Sequence, residues 1–113
     1  MSITLILGII WLHWLADFVL QSHWMASNKS KRNDALLIHI CAYTACLLPF
    51  GWKWALLNGA MHMATDYVSS RVTSALWVRG RIHDFFVVIG LDQAVHMTCL
   101  FGTASLISPM FWP

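Results

Sequence analysis

The sequence predicts an all-α protein, a four-helix transmembrane bundle, and three observations carry that expectation. Hydrophobic residues make up 58% of the 113 positions and charged residues only 11%, with no glutamate among the acids, a balance that cannot clothe a soluble core. Four apolar segments each approach the roughly 20 residues needed to cross about 30 Å of hydrocarbon. The basic residues collect in two of the three connections between them. The segments run over about 3–21, 35–52, 54–70 and 85–108, inside one membrane domain covering 1–113.

The first segment starts at Ile3 and ends on HWLADFVLQ, His13 to Gln21. No basic stretch precedes it and no small-residue cleavage site follows, so it is expected to remain as a helix and not to be removed as a signal peptide. The second climbs from Ala35 to a turn marked by Pro49, Gly51 and the cluster Trp52-Lys53-Trp54, with tryptophans at the level of an aromatic belt. The third is built on NGAMHMATDYVSSR, Asn58 to Arg71, and the fourth runs from Phe85 through GLDQAVH, Gly90 to His96, with Trp112 in the closing PMFWP as an interfacial anchor. Lys29, Lys31 and Arg32 lie in the first connection, Arg71, Arg79 and Arg81 in the third, and Lys53 alone in the second. The positive-inside rule then places the first and third connections in the cytoplasm and both termini outside, as expected for a multi-pass protein of a bacterial inner membrane. The first connection reads as a solvated loop that sets topology and touches lipid headgroups. A formal charge of +2 is too small to argue for a nucleic-acid partner.

Polar residues recur at four-residue spacing in these greasy helices, and that spacing stacks them on one helical face. His13, Asp17 and Gln21 lie on the first helix, His39 on the second, Asn58, His62 and Asp66 on the third, Asp92 and His96 on the fourth. With alternating helix directions, all fall in the cytoplasmic half of the bilayer. A carboxylate near a helix centre costs about 2.5–3.5 kcal/mol on the insertion scale, so three of them need a shared reason. Each Asp has a His on its own face, and bundles build metal sites from inward-pointing acid and histidine pairs. The expected ligands are His13, Asp17, His39, His62, Asp66, Asp92 and His96, around a divalent ion with Zn or Mn best suited to imidazole and carboxylate. Seven candidates exceed one tetrahedral ion, which leaves open a two-metal cluster or one metal whose outer carboxylates orient its histidines. Each pair taken alone reads as a structural ion pair or a hydrogen-bonded packing residue. His23 and His83 read as interfacial, and Cys41, Cys46 and Cys99 as small packing residues with no disulfide framework.

HWLADFVLQSHWMASNKS, His39 with Tyr43, NGAMHMATDYVSSR and GLDQAVH together resemble a domain-of-unknown-function family of small integral membrane proteins of bacteria and their phages. The likeness covers nearly the whole chain through HxxxDxxxQ, HxxxD and DQxxH. A looser similarity, in size and in His/Asp content, is to inner-membrane metal-dependent hydrolases. The first functional expectation is therefore a metal-dependent hydrolase, in which Asp92 and His96 do the acid–base work and Gln21, Gln93 and Arg71 hold a lipid-linked or phosphoester substrate. Gln21, Ser70 and Arg71 would form the mouth. The alternatives are an ion or proton conduit, assembled as a homo-oligomer around a shared path, and a phage-type protein that binds a host partner through a structural polar cluster.

Overall fold

The computed structural model describes residues 1–112, which form an all-helical protein with no strand among them. Five α-helices follow in order: α1 Ile3–Trp14, α2 His23–Asn28, α3 Asn33–Leu47, α4 Trp52–Val78 and α5 Ile82–Gly102. Ser2 caps α1, its Oγ accepting from Leu5 N–H at 3.2 Å, and Ser22 caps α2 in the same way through Met25 N–H, each satisfying a donor that a helix start leaves unpaired. Between α1 and α2 the chain passes through a single π turn, Leu15–Val19, closed by Leu20 N–H to Leu15 C=O at 2.9 Å.

The boundaries depart from expectation in three places. The connection SNKSKRND is not simply a loop, since its first part belongs to α2. Helix α4 continues eight residues past Ser70, to Val78, because nothing in VTSALWV breaks it before Gly80 takes a positive φ of 71°. The last helix ends early, at Gly102, and the chain finishes in short 3-10 turns at Ala104–Leu106 and Pro109–Phe111.

Every helix but α2 buries one narrow stripe: Ile9 and His13 on α1, continued by Asp17 in the π turn, His39, Tyr43 and Leu47 on α3, Trp54, Asn58, His62, Asp66 and Ser70 on α4, and Asp92, His96 and Leu100 on α5. Most of the remaining surface is apolar and exposed, including Leu7, Trp11, Phe18, Leu37, Leu56, Val68, Phe86 and Leu91. Helix α4 lies between α3 and α5 and contacts both; α1 closes the bundle through Tyr43 of α3 and Gln93 of α5. Gly59 permits the close approach of α4 to α3, since a Cβ there would meet Thr44 Oγ1. Two stretches, Asn33–Phe50 and Ile82–Gly102, are long and apolar enough to cross a membrane. The other two expected spans do not stand out by that measure: Ile3–Val19 is apolar but shorter, and α4 is diluted by its own polar stripe.

Trp54, expected in an aromatic belt, is instead fully buried, with Nε1–H donating to Leu100 C=O at 3.0 Å. It packs with Ile9, Leu47, Leu100, Ala104 and Ile107 into the apolar core of one end. The opposite end holds the titratable residues.

Candidate metal centre

Four helical segments deliver one ligand set. His39 comes from α3, His62 and Asp66 from successive turns of α4, Asp92 and His96 from successive turns of α5, and Asp17 from the π turn. A regular α-helix advances about 100° per residue, so each four-residue step overshoots a full turn by about 40°; the wider π turn takes up part of that overshoot beneath Ile9 and His13. Such turns concentrate at functional sites. All six side chains are buried, Asp92 the least so at 8% exposure.

His39, His62, Asp17 and Asp66 form a first group whose ligand atoms lie within 4.8 Å of one another. His39 Nε2 is 3.1 Å from His62 Nε2, 3.0 Å from Asp17 Oδ1 and 3.4 Å from Asp66 Oδ2. His62 Nε2 is 3.3 Å from each of the same two oxygens. Ligands at 2.0–2.1 Å from a tetrahedral zinc-type ion sit about 3.3 Å apart along the edges of the tetrahedron. The observed edges match that spacing. Both rings leave Nδ1 without a partner, so the polar work of His39 and His62 is confined to the Nε2 edge that faces the group.

Asp17, Asp92 and His96 form a second group. His96 Nε2 is 3.0 Å from Asp92 Oδ2 and 3.1 Å from Asp66 Oδ1. Asp17 therefore belongs to both groups, and Asp66 turns one oxygen to the first and the other to His96. Carboxylates shared between adjacent sites are what a two-metal centre needs. The buried His/Asp groups could hold a metal ion.

His13, expected as a ligand, stands outside both groups. Its Nε2–H donates to Gln93 Oε1 at 2.7 Å, and its Nδ1 accepts from Tyr43 O–H at 3.2 Å. Gln93 in turn donates through Nε2 to Asp17 Oδ2 at 3.2 Å and to Asp92 Oδ2 at 3.0 Å. Tyr43, His13 and Gln93 thus form a relay of hydrogen bonds that fixes two carboxylates, a role that the immediate supports of metal ligands commonly have. Ser69 Oγ–H completes it by donating to Asp92 Oδ1. Asn58, on the polar stripe of α4, belongs instead to the apolar end, where its Nδ2 donates to Trp54 C=O and Thr103 Oγ1.

A cavity of about 340 Å³ opens beside the centre, with Asp17, Asp92 and Gln93 at its inner end and Gln21 and Ser70 on its walls. Arg71 is not part of it. Its guanidinium lies over the Tyr67 ring at 3.7 Å and donates to Asn33 Oδ1 and Tyr67 C=O, tying α4 to the start of α3. The cations that line the cavity are Lys29 and Lys31, and Lys29 Nζ donates to Asp66 Oδ2 at 3.1 Å. The charge run read as a solvated loop concealed this contact. The capping serine of SHWMASNK was the available signal, because a helix begun at Ser22 turns the chain back over the bundle. His23 and His83 are exposed, and the three free cysteines lie outside both groups.

These features define a class: an all-helical chain with two stretches able to cross a membrane and a buried His/Asp centre able to hold metal. The chain belongs to DUF3307, a family described as proteins of unknown function, whose model matches residues 4–110. Comparison with curated proteins and with solved structures finds no match.

Proposed function

We propose that this protein is a metal-dependent hydrolase embedded in a membrane as a four-helix bundle, with its centre in the cytoplasmic half. The observation that carries the reading is that two adjacent ligand groups share Asp17, with Asp66 of the first reaching His96 of the second, beside a cavity lined by Asp17 and Asp92. A purely structural polar cluster needs no such opening.

The membrane setting is supported by the apolar, exposed outer faces of α1, α3, α4 and α5 around polar stripes, the inverse of a soluble bundle. The long dimension, 48 Å, is close to the 40–45 Å of a bilayer with its headgroup regions. Lys29 and Lys31 line the cavity and Lys53 lies at the other end of α4, so the positive-inside rule turns the cavity to the cytoplasm and both termini outward.

His39, His62, Asp17 and Asp66 would hold one ion, and Asp92 and His96 a second with the shared carboxylates. Divalent metal there supplies Lewis acidity and a water that ionises near neutral pH. Imidazole with carboxylate at tetrahedral spacing favours zinc, with manganese next. Asp92, which lines the cavity together with Asp17, is positioned by Ser69 and Gln93 to take a proton from water. A conduit is disfavoured because the buried stripe turns apolar beyond Tyr43, through Leu47, Trp54, Leu100 and Ile107.

Protein purified in neutral detergent should contain close to two equivalents of divalent metal and hydrolyse ester substrates, and Asp92→Asn should lower turnover at least a hundredfold. Equal inertness of wild type and Asp92→Asn with metal bound in both would replace catalysis by a structural or partner-binding role.

A further inference from the structure

Two kinds of residue line the cavity. Lys29, Lys31, Gln21 and Ser70 join Asp17 and Asp92 as its polar lining, and Phe18, Trp77, Phe85 and Ile89 are apolar. Ser70 is 6% exposed and its Oγ has no hydrogen-bond partner; Gln21 Oε1 is likewise buried and unpaired. Buried polar atoms without partners are uncommon and costly, and both of these belong to residues that line the cavity. Ser70 offers a donor that an acceptor-rich group entering the cavity would satisfy.

We propose that this cavity binds a phosphate ester carried on an apolar stem, its phosphate held by Lys29 and Ser70 and its stem lying along Phe18, Trp77, Phe85 and Ile89. The inference rests on the hydrolase reading above and names the substrate class of that site. Charge supports phosphate. Two divalent ions against Asp17, Asp66 and Asp92 leave one net positive charge, and Lys29 and the exposed Lys31 add to it, an excess that favours an anionic group over a neutral one. Phosphate also has enough oxygens to meet a metal and an ammonium at once. The volume, about 340 Å³, lies at the small end of ligand sites and accommodates a head and the first part of a stem. Trp77 and Phe18 are exposed, so a longer stem can continue past them into lipid.

In the reaction, the oxygen of water adds to phosphorus and the ester P–O bond breaks, its electron pair leaving on the ester oxygen. The proton released by the water passes to Asp92 and then to the departing alkoxide, giving an alcohol and inorganic phosphate.

Binding and turnover separate the two readings. Metal-loaded protein in a neutral maltoside detergent is titrated with decylphosphonate, which has no P–O ester bond to cleave, and in parallel with inorganic phosphate and with decanol. Decylphosphonate is expected to bind at least tenfold more tightly than either. On protein saturated with metal, Lys29→Gln should weaken it roughly ten- to a hundredfold and Ser70→Ala about fivefold, whereas Arg71→Gln, outside the cavity, should leave it as it is. Inorganic phosphate binding as tightly as decylphosphonate would overturn the stem and indicate a free-phosphate site. Decanol binding as tightly would overturn the anionic head, and equal losses in Lys29→Gln and Arg71→Gln would overturn the placement. Lys29-dependent binding without release of phosphate from decyl phosphate would sustain the pocket and overturn the hydrolase.

Discussion

The two ends of the bundle use the same stripes for different ends. Along α1 and the π turn the buried position passes from Ile9 to His13 and Asp17, along α3 from Leu47 to Tyr43 and His39, along α4 from Trp54 and Asn58 to His62, Asp66 and Ser70, and along α5 from Leu100 to His96 and Asp92. The change from hydrocarbon to titratable groups falls at one level in all four helices, and Tyr43 marks it by packing with the apolar core while its hydroxyl meets His13. Both ends carry a cavity, about 210 Å³ among Leu5, Ile9, Leu12, Phe50, Trp54 and Phe111 against about 340 Å³ beside the centre. Helix geometry alone therefore does not separate a structural end from a functional one. The residue types on the shared stripe do.

The largest test of that separation sets Asp66→Ala beside Leu100→Ala. Asp66 touches His39, His62, His96 and Lys29, and its removal leaves buried cationic and polar groups unmatched, a loss of about 3–5 kcal/mol together with most of the metal. Leu100→Ala costs about 2–5 kcal/mol through a cavity and should keep its metal. Denaturation in detergent and metal analysis of both variants check this, and loss of metal from Leu100→Ala would show that the ends are one unit. A smaller effect is expected from Gln93→Leu. Cutting the hydrogen bonds to Asp17 and Asp92 should weaken metal binding about 10–100-fold while the apolar end stays folded, which competition with a chelator would measure. Smallest is Gly51→Ala at the far turn, where φ is 153° and a Cβ would meet Leu106 C=O at 2.8 Å. It should lower stability by about 1–3 kcal/mol and leave metal affinity as it was.

Much of this arrangement was legible in advance, because a four-residue repeat of His and Asp reports a shared helical face whatever the neighbours are. Six of the seven expected ligands fall into the two groups. His13 does not, and its own helix carries no sign of the reason, which is that Gln93 and Tyr43 from other helices occupy both ring nitrogens. Lys29 lines the cavity and Arg71 does not, for a similar cause. A lysine in a charge run and an arginine after a buried stripe are told apart only by the way α2 folds back and by the Asn33 partner that draws Arg71 aside. The burial of Trp54 is not legible because an aromatic cluster beside a turn fits a membrane interface as well as a core.

The π turn at Leu15–Val19 has a consequence for how this chain can vary. An α-helix with one residue inserted is the simplest description of such a turn, and deleting one residue would rotate Ile9 and His13 by about 100° against Asp17. No substitution of a side chain has that effect. The alignment of the first helix is thus stored as a count of residues: changes of type within 15–19 leave the count intact, while a change of length separates the part of α1 that packs from the carboxylate that both ligand groups share.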